Sequence, residues 1–178
     1  MNYLARVKRV LLHLAGLCLL LTLAPSCSNQ VWAKHRVAYK FEYGKTALLK
    51  DGKAYAPRSA PKAVHRAIAA GNRLQNKPYK YGGGHRRLND SGYDCSGAVS
   101  YVLREAGLLR GQMVSQGFFK YGQPGHGRWI TVYVRDGHVF MTVAGLRLDT
   151  GGGRRSGPRW KPESRSAKGH AMRHPRGL

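Results

Sequence analysis

Cys95 stands where a polar, glycine-rich stretch gives way to the amphipathic run "CSGAVSYVLREAGLL", directly behind Asp94. A cysteine kept for packing belongs inside the apolar stripe, and this one precedes it. Asp94 is a residue type that caps helices, its carboxylate accepting first-turn N–H groups. Cys95 then falls in the first turn, where unpaired amides and the positive end of the helix dipole favour thiolate over thiol. Ser96 and Gly97 are small and leave room for a substrate. A nucleophilic thiolate also needs a base. His138 follows the turn signal Asp136-Gly137 and opens a strand-like run, so backbone hems its ring on one side only. An acid that orients the imidazole completes such a site. Asp149 lies eleven residues beyond His138, across a tight turn at Ala144 to Leu146. His35, His65, His85, His126, His170 and His174 sit in basic or Gly/Pro-rich surroundings and read as solvated surface residues. The residues alone leave two alternatives open. Cys95 could be a small apolar residue closing a helix end, and Asp149 could simply pair with Arg147 or Arg154.

Helices and strands must bring these groups together. Ala63, Val64, Ala67, Ile68 and Leu74 recur at helical spacing after Pro61, which suits a first helical position, and Pro78 lies beyond the end. From Cys95 the period resumes, with Ala98, Val99, Val102, Leu103 and Ala106 on one face and Gly107 as a C-terminal cap. A polar bridge containing Gln112, Ser115 and Gln116 leads to "RWITVYV" and "HVFMTVAGLRLDT", β-branched and aromatic runs joined by Asp136-Gly137 as a hairpin, with Leu146 to Asp149 as a further short strand. Residues 34–60 alternate weakly, as a short strand or an extended arm. Residues 152–178, basic and rich in Gly and Pro, read as mostly irregular, with Trp160 anchoring them. The order helix, loop, helix, antiparallel strands is that of an α+β domain.

The 178 residues carry a net charge of +23. Arg6, Lys8 and Arg9 precede an apolar run from Val10 to Leu23, too short for a comfortable span, and Val31-Trp32-Ala33 fits a small-x-small cleavage site. Residues 1–33 therefore read as a signal peptide, with no transmembrane span in the mature form. Lipid attachment at Cys27 is the other form of processing. Loss of the three signal-region cations leaves +20. Such a field favours polyanions, and in an exported chain these are anionic envelope polymers. Nucleic acid is not expected, since no zinc-finger or RNP pattern is present. Cys18 lies in the signal core and Cys27 goes with it or is lipidated, so Cys95 is the one thiol left free. No C-x-x-C occurs, which argues against a thiolate metal site or redox motif. "GKT" at 44–46 lacks the upstream glycine of a phosphate loop, with Tyr39 in its place. No metal or cofactor is implied.

In their order, "KPYKYGGG", "GYDCSG" and "GHVFMTV" resemble the NlpC-type cell-wall cysteine peptidases over roughly Ala63 to Gly151. The resemblance implies a compact papain-like fold, with the nucleophile helix packed on a small antiparallel β-sheet. It divides the chain into a signal peptide (1–33), a basic N-terminal extension (34–60), a catalytic domain (61–151) and a basic C-terminal extension (152–178). Carried over by position, Cys95 is the nucleophile, His138 the base and Asp149 the orienting residue. Tyr79 places its hydroxyl near the nucleophile, and the Cys95 backbone N–H helps to form the oxyanion hole. The implied activity is hydrolysis of peptide stems in peptidoglycan by a protein of the periplasm or cell envelope. Three places depart from the family. The third catalytic position is usually His, Asn or Gln, so that Thr150 stands as the alternative beside Asp149. The usual "PGD" reads Pro124-Gly125-His126, and the groove segment is recast as "GQMVSQGFF". Two rival readings remain: another amidase or acyltransferase using the same pair, and a cationic envelope-binding protein on a degenerate scaffold.

Overall fold

The structure, a computed structural model, describes residues 30–151 and 157–178. Most of the expected signal segment, Cys18, Cys27 and Arg154 lie outside these residues.

Helix α1 runs from Lys62 to Leu74 and α2 from Cys95 to Glu105. Pro61 is the N-cap of α1, not its first helical residue, with an extended ψ of 152°. The strands are β1 (Val31–Trp32), β2 (Arg36–Val37), β3 (Leu48–Lys50), β4 (Lys53–Tyr55), β5 (Gln123–Pro124), β6 (Ile130–Arg135), β7 (His138–Val143), β8 (Leu146–Asp149), β9 (Arg159–Lys161), β10 (Arg165–Ser166) and β11 (Ala171–His174). The main sheet has the order β1-β11-β6-β7-β8-β9, all antiparallel, with β5 also paired to β11. The architecture is α+β, as the periodicities indicate.

Strand alternation splits the sheet into two faces. Ile130, Val132 and Val134 of β6 and Val139, Met141 and Val143 of β7 pack with Val64, Ile68, Val99, Val102 and Leu103 of the helices. Tyr133 and Phe140 stack on the other face, 4.8 Å between centroids, beside Val37, Ala167 and Met172. Residues 34–60 are more ordered than an arm: β3 and β4 form a hairpin, and β2 pairs with β10.

The expectation of an irregular C-terminal segment is corrected. β11 lies between β1 and β6 in the main sheet, and β9 extends its far side. Ala171, Met172 and Arg173 are all buried, and the Arg173 guanidinium donates to the carbonyls of Tyr121 and Gly122. A short strand in Gly/Pro-rich surroundings carries too few residues for a visible period, so only its partners reveal it. Trp160 does anchor the segment. Its indole N–H donates to Asn72 Oδ1 at 2.8 Å, and a Cβ on Gly71 would run into its ring. At the other end, β1 pairs with β11, and the Ala33 N–H donates to the His170 carbonyl at 2.8 Å.

Candidate active site

The start of α2 is built by Asp94. Its Oδ1 accepts the Gly97 N–H at 2.7 Å, the expected cap, and its Oδ2 accepts the Gly82 N–H at 3.1 Å. One carboxylate thus ties the glycine loop to the helix. The loop lies so close that a Cβ on Gly97 would run into the Gly83 carbonyl, and one on Gly83 into that of Gly92. This contact explains why "YGGG" and "DCSG" occur together. Gly84, at φ +83°, adopts a left-handed conformation open to glycine.

Cys95 is the first residue of α2 and half-buried, and it is the free cysteine among the described residues. Burial pushes its thiol up. Hydrogen bonds from His138, the Val139 N–H and the Ser115 hydroxyl outweigh that cost and hold the thiol below its ordinary range. Ser115 Oγ lies 3.7 Å from Sγ.

His138 opens β7. The β7–β8 register, with Met141 opposite Leu148, makes Asp149 a diagonal neighbour of His138 on the same face. His138 Nε2 lies 3.0 Å from Asp149 Oδ1, which leaves Nδ1 for the thiol. Burial depresses the imidazole, but Asp149 and then Cys95 more than offset it and raise it to about 9. Each shift favours the charged form of its group, thiolate at Cys95 and imidazolium at His138.

Asp149 is buried, its side chain fully so. Its Oδ1 also accepts the Gly151 N–H at 2.7 Å, while Oδ2 accepts from Arg147 at 2.7 Å and Arg165 at 2.8 Å. Burial works against the carboxylate, yet His138, Gly151 and the arginines keep its pKa well below the usual range. The Arg147 alternative therefore coexists with the His138 contact. Thr150, the neighbouring candidate, is buried, but it is Asp149 that meets the imidazole.

Tyr79 lines the same cleft of about 450 Å³ as Cys95, together with His85, Ser115 and Gln116. Desolvation, then the charges of Cys95 and Asp94, raise its phenol above the ordinary range. The Cys95 N–H lies in the first turn and is not taken by the Asp94 cap, which engages Gly97. A larger cleft of about 750 Å³ adjoins at Tyr81 and Gly82, and neither cysteine nor histidine lines it.

Several side chains at and near the site carry no local sign of their contacts. His85 is not simply a solvated surface group: its Nε2 is 3.1 Å from both Asp94 Oδ1 and Ser96 Oγ. His170 is 3% exposed, against the surface reading. Its edge meets Phe140, and its Nδ1 faces the Ala167 carbonyl. Ser115 reaches Cys95 from a 3-10 helix at Ser115–Lys120. That helix is pinned by the buried Ser100 hydroxyl, which bonds both the N–H and the carbonyl of Met113, and by Gln116 donating to Asp136. Arg165 comes from the segment read as irregular. No local pattern marks Ser115, which the sequence shows only as part of a polar bridge.

Among the described residues, no three His, Cys, Asp or Glu side chains are placed to hold a metal ion, and no helix is long and apolar enough to cross a membrane. Compared with protein-family models and with curated proteins, the chain matches none.

Proposed function

We propose that this chain is an exported NlpC-type cysteine peptidase that hydrolyses amide bonds in the peptide stems of peptidoglycan, on a compact papain-like arrangement. The observation that carries the reading is the chain of contacts from a thiol at a capped helix start, which lines a cleft, through the His138 imidazole to the buried Asp149 carboxylate behind it. The order of "PYKYGGG", "DCSG" and "GHV" along the chain supports the family, and the excess of cations suits an anionic wall.

In this mechanism His138 Nδ1 holds the proton taken from Cys95. The thiolate attacks the stem carbonyl carbon, and the charge that develops on its oxygen is met by the Cys95 N–H with the Tyr79 hydroxyl close by. As the tetrahedral species collapses, the C–N bond breaks and His138 gives its proton to the leaving amine. A water then gives a proton to His138 and attacks the thioester, releasing the carboxylic acid and returning Cys95. Asp149 keeps the imidazole oriented and stabilises its cationic form throughout.

The test is digestion of purified peptidoglycan by the protein beside its Cys95→Ala twin, with products identified by mass. New fragments from the wild type alone are expected, and their masses name the bond. Equal fragments from both proteins would sink the assignment.

A further inference from the structure

A second concavity lies at the other end of β7, which runs from His138 to Val143, so the two sites are about 17 Å apart along the strand. It forms where the basic segment before β3 folds against the sheet. The Ala47 N–H donates to the Ala144 carbonyl at 2.8 Å, and the Ala144 N–H donates to the Trp129 carbonyl at 2.7 Å. The cleft measures about 330 Å³. His35, Arg36, Lys45, His126 and Arg128 line it around Tyr133, and no described Asp or Glu does.

The partners of these cations are mostly neutral. Arg36 donates to the Ser164 hydroxyl at 2.9 Å and to its carbonyl. Arg128 lies over the Trp129 ring, 5.5 Å from the centroid. Lys45 alone meets an acid, Glu42 at 3.2 Å, and both side chains are exposed. His35 and His126 meet edge-on with centroids 6.3 Å apart, and His35 Nε2 lies 3.4 Å from the Tyr133 hydroxyl. Three permanent cations and two imidazoles around one space, with no acid lining it, form a region of positive potential that an oxyanion would neutralise. The larger cleft at Tyr81 and Gly82 also holds Arg86 and Arg87, but it carries an acid in its own lining, Asp90, which takes Lys80 at 2.8 Å, whereas Glu42 meets Lys45 from outside the second cleft.

We propose that this cleft binds the oxyanion groups of an acidic envelope polymer and so holds the chain on its matrix while the Cys95 cleft works on a peptide stem. The oxyanion site stands on the geometry of the cleft, and the choice of an envelope polymer rests on the peptidoglycan reading. Phosphodiester and carboxylate polymers share the chemistry, and two ligands separate them.

Binding of the full chain to poly(glycerol phosphate) and to polygalacturonate is measured for the wild type, for Lys45→Gln/Arg128→Gln, and for Lys62→Gln/Arg110→Gln. The last pair removes the same charge from exposed positions elsewhere. The cleft pair should weaken binding at least about tenfold, and the distant pair no more than about twofold. Tighter binding to one polymer names the source. Equal weakening by both pairs would show that net charge alone binds, and would overturn the site. Equally tight, Lys45- and Arg128-dependent binding to anionic phospholipid vesicles or duplex DNA would overturn the polymer class. Cleavage of soluble muropeptides is followed in parallel. If the wild type fails to cleave while polymer binding depends on the cleft pair, the peptidase reading falls and the binding site stands.

Discussion

Two histidine–aspartate pairs flank Cys95, and their contact distances are nearly the same: His85 to Asp94 at 3.1 Å and His138 to Asp149 at 3.0 Å. Both carboxylates are buried and fully engaged, but by different groups. Asp94 serves local backbone, the N–H groups of Gly82 and Gly97, and the Ser96 hydroxyl. Asp149 serves one backbone N–H and two guanidinium groups, one of them from β10. The first pair shapes a helix start. The second holds a negative charge in the interior and lifts the imidazole beside it. Pair geometry alone therefore does not identify a base. What separates the two is the further partner of each ring, since His138 also meets the Cys95 thiol, whereas His85 turns the nitrogen that meets Asp94 to Ser96 as well.

The largest effect should fall on one pair and spare the other. Cys95→Ala and His138→Ala are each expected to lower stem cleavage by at least about 10⁴-fold, and His85→Ala by less than about tenfold. Comparable losses at His85 and His138 in a cleavage assay would erase the distinction. Next comes Asp149→Asn, with a fall of about 10³-fold or more and a destabilisation of about 3–5 kcal/mol, because Arg147 and Arg165 lose their buried counter-ion. Urea unfolding measures the second quantity. The pH profile sharpens the point. In the wild type, activity should rise as Cys95 ionises below the ordinary thiol range and fall as His138 loses its proton near about 9. Removing the carboxylate that raises His138 should move the upper limb to lower pH, and an unmoved limb would deny Asp149 its electrostatic role.

Smaller effects probe the start of α2. Asp94→Ala should cost about 1 kcal/mol for the lost cap and lower Tm, with the Cys95 thiol shifting downward in the pH dependence of iodoacetamide alkylation, because a neighbouring negative charge is removed. Ser115→Ala, which removes a hydroxyl 3.7 Å from Sγ, should raise the same alkylation midpoint by about half a unit and leave Tm in place. The least change is expected from a chain that begins at Lys34. This expected mature form lacks β1, the Ala33–His170 backbone hydrogen bond and the Trp32–Phe119 ring contact, so its Tm should lie a few degrees below that of the full chain, at about 1 kcal/mol, with cleavage retained.

Much of the site was legible because its determinants are local. A cap residue followed by a small-residue first turn marks a helix start whatever the rest of the chain does. Asp136-Gly137 and the turn at Ala144-Gly145, where both residues have positive φ, set two hairpin registers within twenty residues of chain. Those registers carry His138 and Asp149 to one face. Helix starts were legible to within a residue, as Pro61 and Cys95 show.

Long-range partners were not legible. His170 sits in a basic, glycine-flanked stretch that reads as surface, yet the packing of Phe140 and β1 covers it. Arg165 is one basic residue among many until β10 pairs with β2 and sets it on Asp149. Composition could not single out which of the cations cluster without acids, and only the fold brings Arg36, Lys45 and Arg128 around one cleft.

By itself the amino-acid sequence determined the thiol at a capped helix start, the imidazole and carboxylate at the ends of consecutive strands, and the α+β order, because capping, turn chemistry and side-chain period act over a few residues. The tertiary structure alone decided that β11 lies beside β6 in the main sheet, that Arg165 joins Arg147 and His138 on Asp149, and that Ser115 meets Cys95. These contacts join segments well apart in the chain, and their selection depends on which surfaces bury one another when the whole chain packs.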